Sequence, residues 1–183
     1  MRTTLVLLLA IGVAGDPKEA AEVVFAPSGK DRALQRRVAR EIGGAKRKVV
    51  AAVYQFTSKE IAQALVAARN RGVDVRVLVD GPQASSLRGG WAEALETVEA
   101  AKVPVRRVYP DGDKKSRSTE AGRAKFHHKF VVIDGERVLT GSFNWTVLAD
   151  EENHENLVTM TGKVAAKYGE EFDRVWKDDR IVE

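Results

Sequence analysis

The sequence predicts an α/β fold, a mixed β-sheet flanked by helices on both faces. In its first half, short β-branched runs alternate with stretches of helical period, the pattern of βα units. In its second half, strand-like runs follow one another with little more than a turn between them, and one amphipathic stretch closes the chain. At 183 residues, 44% apolar and 31% charged, the chain has the size and balance of one domain with its own core.

The first residues carry Arg2, an apolar run from Leu5 to Val13, and small residues at Val13-Ala14-Gly15 before Asp16. This reads as an export signal over residues 1–15, with a boundary as late as about 20, because the run is too short to span a bilayer comfortably. The expectation is a periplasmic or secreted protein in which residues 16–183 form one domain with no integral membrane segment after cleavage. Glu22 to Phe25 reads as a strand, and Leu34, Val38 and Ile42 place an apolar stripe on a helix from Asp31 to Ala45 that Gly43-Gly44 ends. The unbroken apolar centre of Lys48 to Tyr54 predicts a strand covered on both faces. Thr57-Ser58-Lys59-Glu60 fits a capping box with Thr57 as N-cap, opening a helix through Arg71 that Gly72 closes. A strand from Val73 to Asp80, a helix from Trp91 to Ala101 and a strand from Val103 to Val108 follow.

Tyr109 to Lys125 is a polar loop of a length that is usually functional or mobile. Beyond it, Lys129 to Ile133 and Arg137 to Thr140 make a hairpin about Asp134-Gly135. Asn156 to Thr161 adds a strand, and a helix from Val164 to Trp176 turns Ala165, Tyr168, Phe172 and Trp176 inward.

Composition removes several function classes. With no cysteine, the chain has no disulfide, no thiolate metal site and no cysteine nucleophile. A net charge of +4 permits an anionic partner such as nucleic acid or a lipid headgroup, without requiring one.

The hairpin assembles a constellation of reactive groups. A two-residue loop pairs Ile133 with Glu136, which sets Lys129 across from Thr140 and His127 across from Ser142. Alternation then gives His127, Lys129, Thr140 and Ser142 one face, and Asn144 joins them if the chain stays extended past Gly141. An imidazole, an ammonium, a hydroxyl and a carboxamide suit a phosphodiester: Lys129, Asn144 and Ser142 donate to the non-bridging oxygens, and His127 attacks phosphorus or moves a proton. Attack needs one imidazole nitrogen free and the other donating to a fixed acceptor, for which Glu155 is the best candidate. By the same parity Asp134 faces away and reads as a turn residue.

His127-His128-Lys129, Asp134 and Gly141-Ser142-Phe143-Asn144 together resemble the HxKxxxxD and GSxN motifs of the phospholipase D superfamily, with every motif position filled. Asn153-His154-Glu155-Asn156 is similar to the acidic segment that follows them, and Val24 to Pro27, Tyr54 to Ser58 and Arg71 to Arg76 are similar to the small bacterial endonucleases of that superfamily. The resemblance implies a phospholipase D-like α/β/α sandwich and a phosphodiesterase that uses neither metal nor cofactor. It also implies two histidines per site, one forming a phosphohistidine and one acting as general acid. A single motif copy then implies a homodimer sharing one composite site. In that scheme Glu155 stabilises the imidazolium and raises its pKa.

Several residues carry a functional and a structural reading side by side. Lys114, Lys115, Arg117 and Lys125 could track phosphates or simply be solvated; Tyr54, Phe56 and Trp145 could stack on substrate or pack in the core; Gln83 could touch substrate from the end of its strand. His128 and His154 read as packing or surface residues, and three histidines without cysteine make a poor zinc site. The expected function is a non-specific endonuclease on DNA or RNA. The alternatives are a phospholipase D or cardiolipin-type hydrolase, which would need an apolar rim or interfacial segment, and a catalytically silent nucleic-acid-binding module.

Overall fold

Seven strands, β1 (Ala21–Ala26), β2 (Lys48–Val53), β3 (Asp74–Asp80), β4 (Val105–Val108), β5 (Lys129–Ile133), β6 (Arg137–Gly141) and β7 (Glu155–Thr161), form one sheet in the computed structural model. The structure describes residues 21–115 and 122–183; the export signal read over residues 1–15 and the substrate-binding expectation for Arg117 lie outside them. The strand order is β1-β7-β6-β5-β2-β3-β4. Strands β2, β3 and β4 run parallel and every other pairing is antiparallel. Among the described residues no helix is long and apolar enough to cross a membrane.

Helices α1 (Ala33–Gly44), α2 (Lys59–Asn70) and α4 (Glu93–Ala100) cover one face of the sheet, and α6 (Lys163–Trp176) covers the other. The sandwich expected from the sequence is present. Alternation along β2 explains its unbroken apolar run: Val49, Ala51 and Val53 enter the core beneath α1 and α2, while Val50 and Ala52 pack toward α6 with Phe130 and Phe172.

Two short helices escaped the sequence reading. Helix α3 (Gly81–Ser86) follows β3 directly, its first turn capped by Asp80, whose Oδ1 accepts from the Gln83 N–H at 2.9 Å. Helix α5 (Val147–Glu151) is capped by Thr146 and presents Asp150 to the start of α1. The Asp150 carboxylate accepts from the Ser28 hydroxyl at 2.7 Å and from the backbone N–H groups of Leu34 at 3.3 Å and Gln35 at 2.7 Å. Arg32, the residue ahead of α1, makes no side-chain cap, so a carboxylate distant in sequence satisfies the orphan donors.

The capping box is displaced by one residue. Ser58, not Thr57, caps α2 through Ile61 N–H, because Thr57 and Ser58 both donate their own N–H to the Trp145 carbonyl at 2.9 Å. The hairpin register also differs from expectation. Asp134 and Gly135 have positive φ, Glu136 donates to the Ile133 carbonyl at 3.0 Å, and pairing begins at Ile133↔Arg137. Glu136 is an extra residue whose carbonyl accepts from Gly162 N–H, so Thr140 lies opposite Phe130 rather than Lys129.

Candidate active site

The sheet changes from parallel to antiparallel between β2 and β5, and the candidate residues gather at the carboxyl end of β2, where such sheets tend to bind ligands. Antiparallel pairing sets Lys129 beside Val53. Odd-numbered residues of β5 face the core beneath α1, so Lys129 and, two residues earlier, His127 project to that side. His128 points the other way, between the rings of Phe126 and Phe130, with its Nε2 3.5 Å from the Glu171 carboxylate.

The loop that follows β6 is drawn into the same corner. Trp145 N–H donates to the Gln55 carbonyl at 3.0 Å, and a parallel bridge joins Phe56 to Trp145. This brings Asn144 alongside the end of β2 and leaves its buried Oδ1 without a partner among the described residues. Gly141 makes the turn possible, since a Cβ there would overlap the Asn156 carbonyl. Ser142 thus arrives through a departure from regular strand geometry, where strand alternation had been expected to deliver it.

His127 is exposed at its outer edge and backed by Tyr54, with ring centroids 4.5 Å apart. Lys129 is 8% exposed; its Nζ lies 3.2 Å from His127 Nδ1, donates to the His127 carbonyl at 2.9 Å and stands 5.2 Å from the centre of the Tyr54 ring. Desolvation, then the charges of Lys129 and Lys125, lower the His127 pKa, and Asp80 offsets them in part. Desolvation also lowers the Lys129 pKa, against the attraction of Glu155.

Glu155 departs from its expected role. Its carboxylate accepts from the Ser142 hydroxyl at 2.5 Å and from the Asn153 amide at 3.2 Å, and it shares no hydrogen bond with His127. The expectation that Glu155 raises the His127 pKa is therefore corrected within the single chain: cations and burial prevail and the pKa falls. An ammonium can only donate, so in this geometry Nδ1 accepts and the imidazole proton sits on Nε2.

Asp80 is a site residue that the sequence reading passed over. It is 1% exposed, and its second oxygen accepts from Phe126 N–H at 2.8 Å, fixing the segment that enters His127. Burial raises its pKa despite the N–H donors of Gln83 and Phe126 and the cations Lys125 and His127. An aspartate at a strand end followed by Gly-Pro was the available signal. Gly81 belongs to the same arrangement, because a Cβ there would collide with the Tyr109 ring.

The remaining expectations divide. Gln83 reaches the site, donating to the Tyr54 hydroxyl at 2.8 Å and accepting from Gln55 at 3.2 Å. Phe56 and Trp145, at 3% and 2% exposure, pack edge to face in the core, which overturns the substrate-binding reading for Trp145, while Phe56 also borders an open cavity beside the site. Lys114 and Lys115 are exposed, with the Lys114 ammonium on the Asp179 carbonyl at 2.6 Å, and Lys125 is exposed close enough to His127 and Asp80 to affect both pKa values. Asp134 is the turn residue expected: its carboxylate accepts from N–H of Lys46 at 3.0 Å, Arg47 at 2.7 Å and Lys48 at 2.9 Å. Burial alone would raise its pKa, but these donors and the Arg47 charge lower it. Among the described residues no cluster of three or more histidine or acidic side chains could hold a metal ion.

The family model described as "Cardiolipin synthase, PLD-like domain" matches residues 38–176. Mitochondrial cardiolipin hydrolase of Xenopus tropicalis is 33% identical over 135 residues, 73% of this chain and 57% of its own length. Phospholipase D of Rickettsia prowazekii is 32% identical over 130 residues, 71% of this chain and 56% of its own. The chain therefore spans little more than half the length of these curated relatives. Among solved structures, the phospholipase D family member Nuc of Salmonella typhimurium superposes with TM-score 0.72 at 30% identity, over 89% of this chain and 97% of Nuc. NucT of Helicobacter pylori gives TM-score 0.71 at 21% identity, over 90% and 98%, a likeness of fold.

Proposed function

The chain belongs to the phospholipase D superfamily, and from that premise we propose that it hydrolyses nucleic-acid phosphodiester bonds, without a metal, at a site completed by a second copy of itself. One observation carries this reading: His127 stands exposed at the sheet end, flanked by the cations Lys129 and Lys125. Such a surface meets a solvated phosphate directly.

In the proposed cycle a neutral His127 attacks phosphorus, forming a phosphorus–nitrogen bond, while His127 of the partner subunit protonates the departing oxygen. The partner's imidazole, now neutral, takes a proton from water, which displaces the first histidine and releases the phosphate monoester. Lys129 and the Asn144 NH2 hold the non-bridging oxygens, and Ser142 joins them once its hydroxyl turns from Glu155. Atoms and protons balance, and both histidines return to their starting states.

The geometry of the single chain supports the need for a partner. With Nδ1 facing the Lys129 ammonium, the proton of a neutral His127 ring lies on Nε2, which leaves Nε2 without a free lone pair for attack. An acceptor for Nδ1 or a displacement of Lys129 must come with the second subunit or the substrate.

A second reading, hydrolysis of a phospholipid, is favoured by the names of the curated relatives. Against it stands the scarcity of apolar surface: the large apolar side chains exposed among the described residues are Val23, Phe25, Leu148 and Val164. Plasmid DNA, RNA and cardiolipin vesicles offered to the protein in EDTA separate the readings. Cleavage of nucleic acid that falls by about three orders of magnitude or more in His127→Asn is the expected result. Cleavage of lipid alone, or nucleic-acid cleavage unaffected by the substitution, would refute it.

A further inference from the structure

A cavity of about 210 Å³ opens beside the site, between the ends of β2 and β3 and helices α3, α4 and α5. Phe56, Leu87 and Leu95 form apolar walls, and Tyr54, Gln55 and Gln83 form a polar side. Tyr54 belongs to both places, since the ring that lines the cavity also backs His127 at 4.5 Å.

We propose that this cavity seats the nucleobase adjacent to the scissile phosphate, a reading that rests on the nucleic-acid function proposed above. Size selects the occupant. A cavity of about 150 Å³ lined by apolar side chains takes one benzene ring, whereas drug-sized ligands occupy roughly 300–1,000 Å³. One planar heterocycle fits here, while an acyl chain of lipid length would leave most of its apolar surface in water.

The polar side supplies what a base edge needs. Gln83 uses one N–H on the Tyr54 hydroxyl and its carbonyl oxygen on Gln55. Each amide retains an N–H to donate, and the Gln55 carbonyl oxygen remains available to accept, which matches the mixed donor and acceptor edge of a base. Because such amides reorient within their network, the cavity accepts every base and discriminates among them weakly. Tyr54 then couples binding to chemistry: a base seated against it presses on the residue that orients His127 and Lys129.

The test uses the full chain carrying His127→Asn, so that no ligand is turned over. Calorimetric titration compares each of the four deoxynucleoside monophosphates with 2-deoxyribose 5-phosphate, which has the phosphate and sugar but no base. The nucleotides should bind about tenfold more tightly, the margin one stacked base provides. Adding Ala84→Phe, which fills the cavity from α3, should erase that margin. Equal affinities for nucleotides and sugar phosphate in the unfilled protein would overturn the proposal whether or not the filled variant folds. Plasmid cleavage by the unsubstituted protein, measured in parallel, keeps the two readings apart. Cleavage without a base margin removes the cavity assignment alone, and a base margin without cleavage leaves a base-binding cavity but removes the nuclease reading and with it the scissile phosphate beside the base.

Discussion

At the scale of single residues, the site depends on how Lys129 and His127 share a corner. Lys129 is almost fully buried, and its ammonium, 3.2 Å from Nδ1, disfavours the imidazolium. Its removal should therefore raise the His127 pKa toward the ordinary value of about 6.5. In Lys129→Met the His127 ring protons, followed by NMR, should titrate at higher pH than in the parent protein, and a midpoint that stays or falls would remove Lys129 as a cause. The sign extends to activity. A nucleophile with a lowered pKa stays neutral further into acid, so the acid limb of kcat/KM should lie below the ordinary histidine value. Asp80 acts one step back from the chemistry. In Asp80→Asn an amide NH2 must face either Gln83 N–H or Phe126 N–H, which costs about 1–3 kcal/mol in urea unfolding. A loss below about 0.5 kcal/mol would mean that the Phe126 segment is held by something else.

At the scale of elements, the fold was legible wherever hydrophobic period decided it. Leu34, Val38 and Ile42 on α1 and the apolar centre of β2 announce themselves because burial follows the backbone repeat. What escaped depends on contacts across the chain. Helix α3 is six residues long, too short for a period, and its cap is the carboxylate of a residue that reads as the end of a strand. Helix α5 is five residues long, and its role lies in Asp150 serving α1. The hairpin register slipped by one because Asp134-Gly135 signals a turn without revealing that Glu136 would be taken up by Gly162. His127 and Lys129 kept their shared face through this slip, being two residues apart on one continuous segment, whereas Ser142 depended on the close passage of Gly141 past Asn156. Phe56 and Trp145 illustrate the opposite limit, since an aromatic near a motif looks the same in sequence whether it lines a site or fills the core beneath it. The cap makes a prediction at this scale: Asp150→Ala removes three hydrogen bonds at the start of α1 and should cost about 2 kcal/mol, read by urea denaturation. An unchanged midpoint would show that α1 does not need it.

At the scale of the whole molecule, one chain presents one His127, and the proposed chemistry requires an attacking histidine and a proton-donating one. The edge of the sheet offers a surface on which to ask how copies meet, because β1 carries the exposed Val23 and Phe25 and pairs through Ala26 with Glu155 of the site. The Nδ1 contact with Lys129 and the attachment of Glu155 to Ser142 both describe a corner not yet arranged for attack. The most direct test mixes the two kinds of subunit. Unsubstituted and His127→Asn chains carrying different tags are refolded together in varied ratio, and nucleic-acid cleavage is measured per total chain. If each site needs His127 from both copies, activity follows the square of the unsubstituted fraction, falling to about a quarter in an equal mixture. Activity proportional to the unsubstituted fraction, about half in that mixture, would mean that each chain works alone and would contradict the composite site.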